Sequence, residues 1–310
     1  MANVCLSCHG PAVCLGPLPG CNVFAGRSLS EVLPGGYLYR CRRCLLGFRH
    51  PRRAKSELDA LYANGVSTTW EWTPSARADW RLAEAAIRAY GNASPSVLDI
   101  GCFDGSFLAS LDHGATRAGI EIMPEAAAIA ERRGVRLLGA DFECLRHAAD
   151  RFDVVTAFDV IEHVEDPFEF LTLLRSASKP GGLLIISTGD LDAQTWRLMK
   201  NRYWYCALPE HISFLSERWF RKAAAQLGLE VADCRHYPHS MEPLRRKAQE
   251  AISNLTFLML PKVIGAMRRR GIGHMSAQLH PDVIDEFPPG WASATDHVLI
   301  ALRTPASARL

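Results

Sequence analysis

Several kinds of segment are missing from this sequence. No run of about 18 or more uninterrupted apolar residues occurs, so a membrane-spanning helix is not indicated. The N-terminus lacks a basic segment followed by an apolar run, so we expect no secretory signal peptide and a cytoplasmic protein. No internal repeat or low-complexity segment is evident, which leaves a globular protein as the expectation.

An excess of charge of either sign is missing as well. The chain has 35 Lys and Arg residues against 33 Asp and Glu residues, a formal net charge of +2. This balance requires neither an acidic nor a basic partner. Of the 310 residues, 48% are hydrophobic, which is enough to fill one sizeable core and a small extra module.

Cysteine, by contrast, is concentrated near the N-terminus, where six of the ten cysteines fall within the first 44 residues. Two pairs have the spacing of zinc knuckles: Cys5 with Cys8, and Cys41 with Cys44. Four thiolates placed in this way predict a closed tetrahedral zinc site in a ribbon of short strands. Disulfides are not expected without export, and buried free thiols would not need such pairing. Alternative ligands are Cys14, Cys21 and His9.

The same module carries a basic run between Arg40 and Lys55 that contains no acidic residue. Such a run could bind the phosphates of RNA or of a nucleotide sugar, and it could equally be a solvated surface. Residues 56–92 are expected to be mostly helical, with Trp70, Trp72 and Trp80 as apolar anchors.

The segment 97–108 carries the clearest functional signal. A short apolar run enters a glycine-bearing turn and leaves through an amphipathic stretch, which predicts a strand, a ligand-binding loop and a helix. Gly101 and Gly105 would let the backbone approach a ligand without a Cβ atom in the way, and Asp99 could hold the loop or bind the ligand. A nicotinamide dinucleotide is not favoured, because the spacing is Gly-x-x-x-Gly rather than Gly-x-Gly-x-x-Gly.

The order of motifs resembles the class I S-adenosylmethionine (SAM)-dependent methyltransferases, of the type 11 and type 23 group. The motifs are the glycine loop, an acidic strand end at Glu121, the pair Asp141-Phe142, the triplet Glu162-His163-Val164, and the turn Lys179 to Gly182 before a further strand. One departure is Phe103, which stands where the family has glycine and suggests a loop that can spare that glycine. The resemblance covers roughly residues 95–235 and the last strand.

The resemblance implies SAM as the cofactor and a set of residues that bind it. Glu121 would bind the ribose hydroxyls, Asp141 the adenine amino group, and the glycine loop the methionine end. A helix cap is the alternative role for Asp141, and a solvated strand end is the alternative for Glu121. The full set is Asp99, Gly101, Cys102, Phe103, Gly105, Glu121, Ile122, Asp141, Phe142 and Phe158.

An aromatic segment, residues 190–215, follows the fifth strand and contains Glu210 and His211. It resembles a stretch of the zinc-bearing sugar C-methyltransferases, in which the histidine is an acid/base residue. An imidazole has a pKa close to neutral and could accept a proton from the methyl acceptor, with Glu210 beside it. The alternative is that His211 only fixes the loop or caps the next helix, and His163 is expected to be structural.

The sequence thus predicts an α/β protein with a doubly wound, seven-stranded, Rossmann-like methyltransferase sheet, a zinc ribbon and a helical cap insertion. The expected units are a ribbon at 1–55, a helical linker at 56–94, a SAM-binding domain at 95–240, the insertion at 241–290 and a closing strand at 291–310. The insertion could instead be a dimer surface, or an interfacial membrane helix with Arg268 to Arg270 near anionic headgroups. The expected acceptor is a hydroxyl of a sugar or related small metabolite or glycan, then a sugar carbon, then RNA. A non-catalytic SAM-binding scaffold is the competing class.

Overall fold

The computed structural model describes residues 4–63, 77–92, 94–111, 114–149, 151–273 and 278–306. Its first part is a small β-module. The strands are β1 (Ala12–Pro17), β2 (Cys21–Phe24), β3 (Arg27–Leu33), β4 (Tyr37–Cys41) and β5 (Gly47–His50). Strands β2 and β3 form an antiparallel hairpin, while β1, β4 and β5 form a second antiparallel sheet.

Two helices connect this module to the main domain: α1 (Lys55–Ala63) and α2 (Ala78–Tyr90). The predicted anchor Trp80 packs against Phe107, with ring centroids 5.7 Å apart. The other two predicted anchors, Trp70 and Trp72, lie outside the described residues.

Alternating strands and helices make up the main domain. Its first half contains β6 (Ser96–Ile100), α3 (Ser106–Ser110), β7 (Thr116–Ile120), α4 (Pro124–Arg132), β8 (Arg136–Gly139), β9 (Phe152–Phe158) and α5 (Pro167–Ala177). The second half contains β10 (Ser178–Gly189), α6 (Gln194–Met199), α7 (Trp204–Ala207), β11 (Ser213–Phe214), α8 (Glu217–Gln226), β12 (Glu230–Pro238), α9 (Leu244–Met259), α10 (Pro261–Arg269) and β13 (Thr295–Arg303).

The central sheet has seven strands in the order β12-β13-β10-β9-β6-β7-β8. Strand β13 runs antiparallel to both of its neighbours, and the pairs from β10 to β8 are parallel. The chain winds outward from β6 to β8 and then returns to β9 on the other side of β6. This reversal creates a crevice at the carboxyl ends of β6 and β9, where doubly wound sheets bind ligands. The predicted seven-stranded, Rossmann-like sheet is confirmed.

Apolar packing on both faces holds this sheet in place. Residues Val154 and Val155 of β9 are both fully buried and belong to different core clusters, one on each side of the sheet. Such strands read as continuous apolar runs because helices cover both faces. Helix α5 begins as the sequence indicates: Asp166 accepts hydrogen bonds from the N–H groups of Phe168 and Glu169, and Pro167 occupies the first turn.

Two features join the main domain to the rest of the chain. Strand β11 pairs with β5, so the sheet of the N-terminal module continues into the segment that follows His211. The insertion between β12 and β13 is helical, and its Phe257 and Ile264 pack in one cluster with Trp196 and Tyr203. No helix of the described residues is both long and apolar enough to cross a membrane.

Candidate active site

A cavity of about 670 Å³ lies at the carboxyl ends of the parallel strands. Four consecutive strand ends line one side of it: residues 99–104 at β6, 120–123 at β7, 140–143 at β8, and 158–160 with 162–166 at β9. Its other side is lined by Trp204, Tyr205, Leu208, Glu210, His211, His239 and His297. The crevice expected from the strand order is therefore a partly open cavity lined by two groups of residues.

Nine of the ten predicted cofactor residues line this cavity, and Gly105 is the one that does not. Gly105 has a φ of +75°, and a Cβ atom there would come within 2.9 Å of a methyl group of Val135. Its missing side chain therefore permits a left-handed turn packed against Val135 and against Ala130 of α4. The predicted ligand contact of Gly105 stays a prediction beside this packing role.

Phe103 takes the left-handed backbone conformation that glycine favours, with a φ of +48°. The loop therefore has a glycine-like backbone conformation at this position without a glycine, and the expectation that it can spare that glycine stays a prediction. A left-handed residue with a Cβ atom costs about 1–2 kcal/mol. The N–H of Phe103 donates a 2.8 Å hydrogen bond to Oε2 of Glu121, which helps to hold this conformation.

Glu121 is 7% exposed, and both of its carboxylate oxygens accept backbone hydrogen bonds. Its Oε1 atom accepts the N–H of Met123 at 2.8 Å. Burial raises the pKa of Glu121 above its usual value. Each carboxylate oxygen has two lone pairs, so these bonds leave acceptor capacity towards the cavity. Ile122, next to it, is 39% exposed and lines the same space.

Three further residues predicted to bind the cofactor line the cavity and also make contacts within the protein. Asp99 is 2% exposed and accepts a 2.6 Å hydrogen bond from the Thr156 hydroxyl, and burial raises its pKa to about 7. Asp141 caps the short 3-10 helix Phe142–Arg146 through the N–H of Glu143, so its alternative role is present in the structure. The thiol of Cys102 packs against Gly119 of β7.

Two aromatic residues predicted to bind the cofactor are held in place by neighbouring aromatic rings. Phe142 makes an edge contact with Phe170, at a centroid distance of 4.9 Å. Phe158, at the end of β9, makes an edge contact with Phe107 at 4.7 Å. Both rings line the cavity, where they can pack against a flat ligand.

His211 stands on the opposite side of the cavity, and 7% of it is exposed. Its Nδ1–H donates a 2.8 Å hydrogen bond to the carbonyl oxygen of Tyr205. This bond selects the tautomer whose Nε2 lone pair is available. Burial, followed by the neighbouring His163, lowers the pKa of His211 well below the usual value of 6.5. The imidazole is therefore neutral at pH 7 and can accept a proton.

Glu210 and His163 lie beside this imidazole. Oε2 of Glu210 is buried and has no hydrogen-bond partner among the described residues, and burial raises the pKa of its carboxyl group. His163 donates from Nδ1 to the Glu210 carbonyl oxygen at 3.0 Å and packs edge-on against His211 at 4.9 Å. His163 thus binds the backbone of the segment that carries Glu210 and also forms part of the cavity wall.

Sequence reasoning did not identify the buried acid beneath His211. Glu162 is fully buried and accepts hydrogen bonds from the hydroxyl groups of Tyr205, at 2.5 Å, and Thr188, at 2.9 Å. Burial raises its pKa to about 8. The triplet Glu162-His163-Val164 was visible in the sequence but indicated only a helix start. No sequence signal placed Tyr205 over its carboxyl group.

A second missed group lies at the ends of β9 and β13. Arg77 binds Asp159 at 2.7 Å, and although burial opposes it, this positive charge lowers the pKa of Asp159 below its usual range. Burial also opposes the charged form of His297, but the Asp296 carboxylate, 2.7 Å away, raises its pKa to about 9. The only sequence signal was a histidine beside an aspartate at the start of an otherwise apolar strand.

The four knuckle cysteines come together at one end of the N-terminal module. Their sulfur atoms lie within 4.8 Å of one another, with Cys5 to Cys44 at 3.7 Å and Cys8 to Cys41 at 3.5 Å. A tetrahedral zinc ion with Zn–S bonds near 2.3 Å needs sulfur separations of about 3.8 Å. The backbone N–H groups of Arg43 and Cys44 also point at the Cys41 sulfur. This donor set fits zinc, and the alternatives Cys14, Cys21 and His9 lie outside the cluster.

Three arginines of the basic run are used inside the molecule. Arg49 is 4% exposed and donates hydrogen bonds to the carbonyl oxygens of Gly35, Cys206, Leu208 and His211. Arg52 bonds the Glu165 carbonyl and the Ser213 hydroxyl, and Arg40 binds Asp192 with two hydrogen bonds. These bonds fix the aromatic segment against the ribbon and leave fewer cations for RNA phosphates.

Comparison with known proteins agrees with this geometry. Residues 70–233 match the model of a family described as a methyltransferase domain. A ubiquinone biosynthesis O-methyltransferase of Cronobacter sakazakii is 31% identical over 150 residues, which are 46% of this chain and 62% of that protein. One from Cereibacter sphaeroides is 39% identical over 103 residues, which are 30% of this chain and 40% of that protein. The matched regions thus span less than two thirds of these relatives.

A solved structure shares the fold. It is a chain of the complex that contains the Trm112 methyltransferase activator of Haloferax volcanii, with a TM-score of 0.52 and 17% sequence identity. The match covers 82% of this chain and 100% of that one.

Proposed function

This chain belongs to the class I SAM-dependent methyltransferases, and we propose that it transfers a methyl group from SAM to a hydroxyl group of a sugar or related small metabolite. The observation that carries the proposal is the two-sided cavity. One side holds the residues predicted to bind SAM, and the other side presents a neutral imidazole with its Nε2 lone pair available. The curated relatives named above are O-methyltransferases, which supports oxygen rather than carbon as the acceptor.

The residues of the chain divide the work between binding and proton transfer. SAM supplies an electrophilic methyl group on a positively charged sulfur atom. Glu121 would hold the ribose of SAM, the loop Gly101 to Phe103 would hold its methionine end, and Asp141, Phe142 and Ile122 would bind its adenine. His211 Nε2 accepts the acceptor's hydroxyl proton as the new C–O bond forms and the C–S bond breaks. Most of the rate enhancement comes from positioning and exclusion of water.

Glu210 and the ribbon contribute to the surroundings of His211. The Glu210 carboxyl group lies next to His211, and its Oε2 atom is buried without a hydrogen-bond partner among the described residues. A zinc ion held by Cys5, Cys8, Cys41 and Cys44 stabilises the ribbon, whose Arg49 fixes the carbonyl groups around His211.

The experiment compares His211→Ala and His211→Asn with the wild type. Asparagine keeps an N–H donor for the Tyr205 carbonyl but removes the Nε2 base. Both variants should lose roughly 10²- to 10⁴-fold in kcat on hydroxyl acceptors, the usual range for loss of a general base, while SAM affinity stays near wild type. Wild-type turnover by His211→Asn would show that His211 only stabilises the loop and is not the base. A product methylated at carbon, identified by NMR, would show that the acceptor atom is carbon and not a hydroxyl oxygen.

The pH profile provides a second readout for the same residue. The neutral form of His211 is the active one, and its pKa lies well below 6.5. The acid limb of kcat/KM that belongs to His211, which is the limb that disappears in His211→Asn, should therefore be centred below pH 6.5. Asp99 and Glu162 line the same cavity and titrate separately, because burial raises their pKa values to about 7 and about 8. A His211-dependent limb centred at or above pH 6.5 would contradict this assignment.

A further inference from the structure

The insertion between β12 and β13 exposes an unusual amount of apolar surface. Nine of the 16 exposed large hydrophobic side chains found in the described chain lie between residues 241 and 272. They are Met241, Leu244, Ile252, Leu255, Met259, Leu260, Val263, Met267 and Ile272. Scattered exposed apolar residues are normal, but a contiguous group marks a surface that contacts something else.

Helix α9 places these residues on one side. With 3.6 residues per turn, Leu244, Ile252, Leu255 and Met259 fall within an arc of about 80°. Glu250, Asn254 and Phe257 form the buried side, roughly opposite this arc. A surface helix of a globular protein carries polar residues on its outer side, so α9 departs from the ordinary pattern. Val263 and Met267 extend the apolar surface onto α10, and we call the whole the α9–α10 face.

Positive charge surrounds the α9–α10 face. Residues 241–273 contain seven Lys or Arg residues and two Glu residues, a net charge of +5 in a chain whose total is +2. Four of these cations are exposed and form no ion pair with another described residue: Arg245, Lys247, Lys262 and Arg270. The two acidic residues are partly or fully covered, since Glu250 is 8% exposed. The surface is therefore both apolar and cationic.

We propose that the α9–α10 face docks the protein on an anionic phospholipid bilayer. The apolar side chains would enter the boundary between headgroups and acyl chains, and the surrounding cations would meet the lipid phosphates. Lys and Arg residues close to an anionic membrane are attracted to its surface. A twofold dimer through this face is disfavoured, because it would bring the unpaired cations Arg245, Lys247, Lys262 and Arg270 of two copies together. The proposal does not depend on the identity of the methyl acceptor.

Docking in this way would place the aromatic wall of the cavity near the lipid. None of the described residues of 241–290 lines the cavity itself. Phe257 packs instead in the cluster with Tyr203 and Tyr205, and Arg202 donates hydrogen bonds to the carbonyl groups of Phe257 and Leu258. Tyr205 and Trp204 form part of the cavity wall.

The test is sedimentation of the full chain with vesicles of two compositions. The chain should sediment with vesicles in which a quarter of the lipid is phosphatidylglycerol, and much less with pure phosphatidylcholine. Leu255→Glu should lower the lipid-bound ratio about tenfold or more, because it removes an apolar anchor and adds a repelled charge. Leu198→Glu on α6 is the matched control, since Leu198 and Leu255 are 46% and 45% exposed.

Two further measurements make the result decisive. The double variant Arg245→Gln, Lys247→Gln should bind anionic vesicles more weakly, and added salt should have the same effect. SAM titration and circular dichroism verify that each variant is folded. Absence of binding to anionic vesicles, or equal binding by Leu255→Glu and wild type, would overturn the proposal. So would light scattering that shows a dimer which Leu255→Glu dissociates, because the face would then join two copies of this chain.

Discussion

At the scale of single residues, Phe103 shows that a residue other than glycine can adopt the left-handed backbone conformation that glycine favours. The turn between β6 and α3 needs a left-handed residue at this position, and the hydrogen bond from Phe103 N–H to Glu121 helps to maintain it. The sequence alone suggested a loop that can spare the family's glycine but not the left-handed angle of Phe103, because a motif records residue types and not backbone angles. For Gly105, the motif correctly indicated a glycine turn. The sequence could not show that Val135 lies so close that a Cβ atom at this position would have no room.

A pair of substitutions isolates the backbone strain at Phe103. Phe103→Gly and Phe103→Ala both remove the ring, and they differ only in the Cβ atom. The glycine variant should be more stable to unfolding by about 1 kcal/mol, because alanine pays the cost of a left-handed conformation. Urea denaturation of the two variants measures this difference. Greater stability of the alanine variant would mean that the turn relaxes to an ordinary conformation.

At the scale of secondary-structure elements, the N-terminal ribbon is part of the active-site architecture. Strand β5 pairs with β11, and its Arg49 binds the carbonyl groups of Cys206, Leu208 and His211. The strands and helices of the main domain followed from apolar periodicity and glycine-bearing turns. The pairing of β5 with β11 could not be predicted, because a two-residue strand carries almost no periodic signal and its partner is far away in sequence.

Loss of the proposed zinc ion should therefore affect catalysis more than SAM binding. Cys41→Ser should lose zinc and unfold the ribbon, since metal binding is part of the folding energy of such modules. We expect kcat to fall because β5 no longer holds the segment around His211, while SAM affinity stays close to wild type. Elemental analysis, kinetics and calorimetric titration measure the three quantities.

The control for that experiment is Cys14→Ser, an exposed cysteine of β1 outside the cluster. It should keep about one zinc per chain, the content of a single four-ligand site, and normal activity. A Cys41→Ser protein with full zinc content, or with unchanged kcat, would show that the ribbon is independent of the active site.

At the scale of the whole molecule, one side of the cavity is lined mainly by residues that the sequence analysis predicted. Much of the other side is lined by residues that it did not predict. The side predicted to bind SAM consists of residues at the ends of consecutive strands, so an ordered motif set could indicate them. The side around His211 includes Tyr205 and His297, with Glu162 and Arg77 beside them, and these residues come from distant parts of the chain. Burial and charge pairing define that side, and both depend on tertiary contacts that local patterns do not encode.

The central claim is that SAM binds in this cavity with its ribose on Glu121, and calorimetric titration of SAM tests it most directly. The wild-type chain should bind SAM, and Glu121→Ala should weaken binding by roughly 1.5–3 kcal/mol, the range for lost charged hydrogen bonds. Glu125→Ala, a change at an exposed carboxylate in the first turn of α4, should bind like wild type. Wild-type affinity in Glu121→Ala, or no SAM binding by the unchanged chain, would contradict the account.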